Sequence, residues 1–207
     1  RFHAAQSDES IYLRFFAPLR MLSDADVFRF TNVNHVDRVA LVVTMREEIV
    51  GIGRYDRIDT RSAEVAFNIS DHYQGKGIGS VLLEHLAAIA QEFGIARFTA
   101  EVLPQNRKML SVFSDAGYDV TRHIEDGVVE VGFDIEPTDQ SKAVTMSREH
   151  RAESLSVHSL LHPDTIAVIG AGRRKDSFGR LVLDHILDAG FTGTVHPVNP
   201  HVRTLRR

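Results

Sequence analysis

Apolar and polar positions change their spacing several times along this chain, and each change marks an element. Residues 7–31 read as helical. Ser7 and Asp8 can cap a short apolar stretch over residues 11–16, and Ser23-Asp24-Ala25-Asp26 ahead of Val27-Phe28 is a stronger N-cap. Oxygen side chains and early acids satisfy the free amides at the positive end of a helix. From Arg38 the pattern becomes strand-like. Residues 39–43 and 49–55 are β-rich runs around the polar turn Arg46-Glu47-Glu48, and residues 63–69 follow the polar turn Asp59-Thr60-Arg61-Ser62. Three neighbouring strands of this kind predict an antiparallel meander. After a glycine-rich segment, apolar residues over 81–90 recur at three- and four-residue spacing, an amphipathic helix stopped by Gly94. Residues 98–103 form a strand. Asn106 opens a helix running through Met109, Leu110 and Phe113 to Gly117, and 118–123 with 128–135 form a closing hairpin. This order predicts an α+β layer with a mixed sheet, mostly antiparallel and flanked by helices.

A second pattern follows. Residues 137–161 are polar and helix-prone, with Lys142, Arg148, Glu149, Arg151 and Glu153, and read as a linker helix. Thr165-Ile166-Ala167-Val168-Ile169 is a buried-type strand entering the turn Gly170-Ala171-Gly172, and a helix over 181–187 and a strand over 194–198 complete one βαβ unit. Such a unit cannot cover both faces of its own sheet, so the chain is expected to stop inside a second, Rossmann-like domain. It also starts on Arg1, and residues 1–5 look like the inside of a helix. Both ends are therefore expected to be cuts in a longer protein. The expected domains are 1–136, with a first strand missing upstream, the linker 137–161, and the truncated unit 162–207.

Composition narrows the classes. Of 207 residues, 43% are hydrophobic and 25% charged, enough apolar material for a sizeable core. A net charge of −4 argues against nucleic acid held on a basic face. The chain has no cysteine, which excludes disulfides, thiolate zinc sites and a cysteine nucleophile, and fits a cytoplasmic protein. No apolar run approaches the roughly 20 residues that span a bilayer, so no membrane association is expected. His72, His85 and His123 show no metal spacing, and no metal is expected.

The glycine-rich segment carries the first chemistry. In Gln74-Gly75-Lys76-Gly77-Ile78-Gly79-Ser80, glycines leave backbone amides bare just before a long helix, and Lys76 adds charge. Bare amides at a helix N-terminus suit a pyrophosphate, although an ordinary strand-to-helix turn has the same composition. A Walker A loop is excluded by the missing Gly-Lys-Ser/Thr ending. A dinucleotide fingerprint is excluded by the absence of a βαβ setting with an acid about 20 residues on.

Residues 38–134 resemble the GNAT acetyltransferases. Gln74-Gly75-Lys76-Gly77-Ile78-Gly79 matches that family's (Arg/Gln)-x-x-Gly-x-(Gly/Ala) pattern. The run from Asn106 through Phe113 to Gly117-Tyr118 matches its following Asn-led pattern, with a strand between the two. The resemblance implies a GNAT fold in which acetyl-CoA lies in a split between strands ending near Ser70 and Leu103. It implies that backbone groups of Asn68, Ile69 and Ser70 hold the pantetheine and that amides from Gly75 to Ser80 hold the pyrophosphate. Asn106 is implied to polarise the thioester side of the cofactor. Two narrower likenesses exist. Residues 8–16 with Asp37-Arg38-Val39-Ala40-Leu41 look like the helical region of Pat-type bacterial protein lysine acetyltransferases. Residues 162–207, including Ala167-Val168-Ile169-Gly170-Ala171 and Pro197-Val198-Asn199-Pro200, resemble the CoA-binding opening of NDP-forming acyl-CoA synthetases. Together they imply a protein lysine as acceptor, typically in an AMP-forming acetyl-CoA synthetase that acetylation inactivates.

Acetyl transfer needs a neutral amine, and a lysine starts near pKa 10.4, so a base must remove its proton. Glu64, in the apolar strand Ala63-Glu64-Val65-Ala66-Phe67, stands where the resemblance implies the general base; strand alternation by itself allows a solvent-facing glutamate. Glu101 occupies a similar spot on the next strand, as a second base or as a surface or substrate-orienting acid. Many family members place a tyrosine acid where this chain has Phe113, whose ring donates no proton and reads as packing beside the acyl chain. The fold also hosts acetylation of small amines and antibiotics. A third class is a non-catalytic acyl-CoA sensor within a larger synthetase-like protein.

Overall fold

The computed structural model describes residues 1–174 and 176–200. It divides into two compact units, Arg1–Ser147 and one beginning at Arg148.

The first unit opens with a 3-10 turn over His3–Ala5, where the sequence suggests the interior of a helix, and its chain turns extended at Gln6. Helix α1 (Asp8–Phe15) starts at Ser7, whose hydroxyl accepts from the Ser10 amide. Helix α2 (Asp24–Thr31) starts at Ser23 in a reciprocal capping box with Asp26. The meander follows as β1 (Arg38–Met45), β2 (Glu48–Arg57) and β3 (Ser62–Ile69), all antiparallel. Helix α3 (Ile78–Glu92) then begins inside the glycine-rich segment, earlier than apolar spacing alone indicates. Strand β4 (Arg97–Val102), helix α4 (Arg107–Ser114), β5 (Thr121–Glu125) and β6 (Val128–Asp134) complete the sheet. Its order is β1-β2-β3-β4-β6-β5, so the last hairpin inserts β6 beside β4 and leaves β5, exposed throughout, at the edge.

The core lies on one face of this sheet. Alternate residues of each strand (Val39, Tyr55, Val65, Phe67, Phe98, Ala100, Val131, Phe133) pack with Leu82, Leu83, Leu86, Ala87 and Ala90 of α3. Gly53 permits the close approach of helix and sheet, since a β-carbon there would stand 3.1 Å from Leu82 Cβ, Leu86 Cδ1 and Phe67 Cδ1. The other face carries the polar alternates and lies beneath α1 and α2, where Arg54 is buried in a two-pronged contact with Asp56 and under the ring of Phe30.

Helix α5 (Asp139–Leu161) begins in the first unit, with Ser141 buried, and extends into the second. The second unit holds β7 (Thr165–Ile169), α6 (Phe178–Asp188) and β8 (Thr194–Val198). The two strands are parallel, as a βαβ crossover requires, and a small core forms from Val168, Ala171 and Leu183.

Candidate active site

The parallel pair β3–β4 is a ladder over three residue pairs only, Ser62–Arg97, Ala63–Phe98 and Glu64–Thr99. Beyond them the strands part, and a cleft of about 700 Å³ opens between them. Its walls present unpaired backbone. Ile58 N donates to Ser62 O (3.0 Å) and Ser70 N to Val50 O (2.9 Å), so even-numbered residues of β3 bond to β2. By alternation the odd-numbered residues turn the other way; the Val65 amide closes the ladder at Thr99 and Ile69 O accepts from Gln74 Nε2, so the Val65 carbonyl, both groups of Phe67 and the Ile69 amide face the cleft unpaired. On β4, Ile135 N donates to Ala96 O (2.9 Å), which turns even-numbered residues toward β6; Thr99 is engaged in the ladder to β3, and the peptide group of Glu101 faces the cleft.

Glu64 stands where the ladder ends and lines the cleft, solvent-exposed. Glu101, also exposed, lines the opposite wall. Both carboxylates therefore reach one space. Register places Glu64 level with Asp56 on β2 and Thr99 on β4, on the face opposite the core.

At the far end the chain turns through Gly75 and Gly77, with φ of 72° and 81°, a left-handed conformation that strains any residue with a β-carbon. Gly77 is the N-cap of α3 and provides no side-chain cap, and Val81 N is already engaged by Gly77 O. The amides ahead of Val81 thus stand at a 15-residue helix terminus, the arrangement that favours an anion. Gln74 holds this loop in place. Its Nε2 donates to Ser10 Oγ (3.0 Å) and Ile69 O (3.2 Å), and its Oε1 accepts from Lys108 Nζ (3.0 Å). Asp71 accepts from the Ser7 amide and from the hydroxyls of Ser7 and Ser10, joining the loop to α1. Burial opposes ionisation of Asp71, yet these hydrogen bonds outweigh it and hold its carboxyl below the usual range.

The expected site residues mostly converge here. Glu64, Asn68, Ile69, Gln74, Gly75, Gly77, Ile78, Gly79, Ser80, Glu101, Asn106 and Phe113 all line the cleft. Ser70 and Lys76 do not. The Ser70 amide is held by Val50, and the Lys76 ammonium lies 4.9 Å from the ring centre of Tyr73. Asn106 is the N-cap of α4, its Oδ1 accepting from Met109 N at 3.2 Å. Phe113 is 1% exposed, its ring 6.1 Å from Phe67 and 5.6 Å from Phe133. It is a core residue whose edge reaches the cleft.

Sequence reasoning did not single out Arg14, Asp71 or Lys108. Arg14 of α1 lines the cleft near Glu64, and burial lowers its pKa while Glu64 draws it back up. Nothing local marks it, because its partners lie some fifty residues away. The histidines also hold one His-x-x-x-His spacing, against the expectation that they show none: His158 in the last turn of α5 and His162 just past its end have ring centres 4.5 Å apart. Among the described residues no cluster of three metal-binding side chains forms, and no helix is long and apolar enough to cross a membrane.

Comparison with known proteins agrees with this geometry. The Acetyltransferase Pat of Mycolicibacterium smegmatis is 34% identical over 138 residues, covering 64% of this chain and 40% of that protein. The crystal structure of the GNAT domain of S. lividans PAT superposes with a TM-score of 0.61 at 52% identity, covering 64% of this chain and 81% of that one. A Trans-feruloyl-CoA synthase FCS1 from an unidentified prokaryote is 38% identical over 52 residues, 25% of this chain and 7% of that protein. The chain thus spans well under half of these two full-length relatives. Residues 8–118, more than half the chain, match the acetyltransferase (GNAT) family, and the chain belongs to it.

Proposed function

We propose that this chain is an acetyl-CoA-dependent protein lysine N-acetyltransferase with Glu64 as its general base, acting on an AMP-forming acyl-CoA synthetase in the cytoplasm. The observation that carries this reading is the cleft itself, with a carboxylate at its closed end and a helix N-terminus at the other. Acetyl-CoA fits it as an added strand. The pantetheine amides pair with the Val65 carbonyl, the peptide group of Phe67 and the Ile69 amide, and the pyrophosphate sits on the amides ahead of Val81. Glu64 takes the proton from the lysine ammonium, directly or through one water. The neutral nitrogen attacks the thioester carbonyl, a C–N bond forms, and collapse of the tetrahedral species breaks the C–S bond. The nitrogen's second proton passes through water to the departing thiolate, which is a weak base and needs no dedicated acid, and Phe113 takes no part in proton transfer. The similarity to acetyltransferases named Pat supports the protein acceptor. We extend the same reading to 162–207 as the start of a CoA-binding, synthetase-like domain after the GNAT domain 1–136 and linker 137–161. The parallel βαβ unit supports this extension.

The test is CoA release from acetyl-CoA with a purified acetyl-CoA synthetase as acceptor. Glu64→Gln is expected to lower kcat by about 10²- to 10⁴-fold, the usual worth of a positioned base, with KM for acetyl-CoA little changed. Equal rates would remove the base assignment. Turnover only with aminoglycosides or polyamines would move the acceptor to a small amine.

A further inference from the structure

Arg14 is the unabsorbed feature of the cleft. It lies on α1, one turn after Ser10, and helps line the wall that faces Glu64. Its guanidinium makes no hydrogen bond to another side chain or carbonyl and no ion pair within 4.0 Å among the described residues; its contact is with the ring of its neighbour Phe15, 5.2 Å away. Arginines on the neighbouring strands are engaged. Arg54 grips Asp56 with two nitrogens, Arg38 approaches the same carboxylate, Arg57 holds Asp37, and Arg97 holds Asp134. Asp56 is thus already shared by two cations. Glu64 and Asp56 favour the charge of Arg14, while burial and the nearby Arg54 and Arg29 oppose it. A planar fork of five N–H donors, partly desolvated and unpaired beside a reacting carboxylate, is a receptor for a carboxylate.

We propose that Arg14 binds a carboxylate carried by the acceptor, so that the enzyme prefers a lysine with an acidic residue beside it. The reading rests on the protein lysine assignment above. The acceptor would be held at both poles, its amine against Glu64 and its anion against Arg14. The carboxylate belongs to the acceptor because α1 packs on β3, the strand of Glu64, and it is Ser10, one turn before Arg14, that meets Gln74 beside the glycine turn suited to the pyrophosphate. The inference specifies an acceptor chemistry, and Arg14 takes no proton in it.

The experiment measures acetylation of two synthetic peptides, each with one lysine flanked by Glu or by Gln. The wild type should favour the acidic peptide in kcat/KM by about tenfold or more, as a charge-assisted hydrogen bond allows. Arg14→Gln should abolish that preference by raising KM for the acidic peptide alone, and Arg14→Lys should restore part of it. A wild type without preference overturns the proposal. So does an Arg14→Gln variant that slows both peptides equally or shifts the pH profile of both, which would make Arg14 a positioning residue for Glu64. Loss of succinyl-CoA use in Arg14→Gln, with peptide preference intact, overturns it too and assigns the arginine to the acyl chain. If neither peptide reacts, the lysine reading falls. A free amino acid against its amide then decides Arg14, and no difference between them overturns the proposal.

Discussion

At the scale of single residues, the two glutamates of the cleft are separated by their neighbours more than by their exposure. Glu64 stands at the last rung of the β3–β4 ladder, opposite Arg14, whereas Glu101 lies farther along the open wall. Glu101→Gln is therefore expected to cost less than tenfold in kcat, against the larger loss in Glu64→Gln, and steady-state kinetics on both variants tests the order. Phe113 belongs to the core more than to the chemistry. Phe113→Ala should destabilise the domain by about 3–5 kcal/mol, read as a lower melting temperature, because its ring fills the space between Phe67 and Phe133. Asp71 gives a pH effect of known sign. Its folded pKa lies below the unfolded value near 3.9, so the stabilisation from its hydrogen bonds is full above that pH and disappears as pH falls through the folded value. The melting temperatures of wild type and Asp71→Asn should differ at pH 6 and converge toward pH 3.

At the scale of elements, two glycines act for different reasons. Gly53 makes room for α3 on β2, and Gly53→Val should cost about 1–3 kcal/mol by forcing Leu82 and Leu86 away from the sheet. Gly77 meets no neighbour within 4 Å, so space is not its constraint. Its φ of 81° is, and Gly77→Ala should cost about 1–2 kcal/mol or reshape the turn. A raised KM for acetyl-CoA with unchanged acceptor KM in Gly77→Ala would place the turn at the cofactor, and a raised acceptor KM would contradict that. The elements themselves were largely readable. Ser7, Ser23 and Asn106 all cap the helices that their side chains suggest. Residues 1–5 were misleading because alanine favours a helix, yet the carbonyl of Phe2 accepts from Gln6 Nε2 and the chain turns outward at Gln6.

At the scale of the whole chain, the main hydrophobic cluster of the first unit is built from buried residues between Val39 and Ile135, with Ile11 of α1 buried apart from it. Helix α5 over residues 149–158 is exposed on all sides. Limited proteolysis should therefore cut first within 149–158, and a fragment ending at Ser147 should keep the melting transition and CoA release of the longer chain. Early cleavage inside α3 or β4 would contradict this division.

The sequence by itself determined the order of elements, the sheet class, the glycine turn ahead of α3 and the candidate base, because periodicity, caps and glycine placement are local or carried by short motifs. Tertiary structure alone decided three matters. The divergence of β3 from β4 fixed which peptide groups are free to pair with a ligand. The packing of α1 brought Arg14 to Glu64 and tied Ser7 and Ser10 to Asp71. The boundary of the first unit fell at Ser147, inside a helix whose polar sequence gives no sign of a break. Each of these depends on contacts between residues far apart in the chain, and no local spacing encodes them.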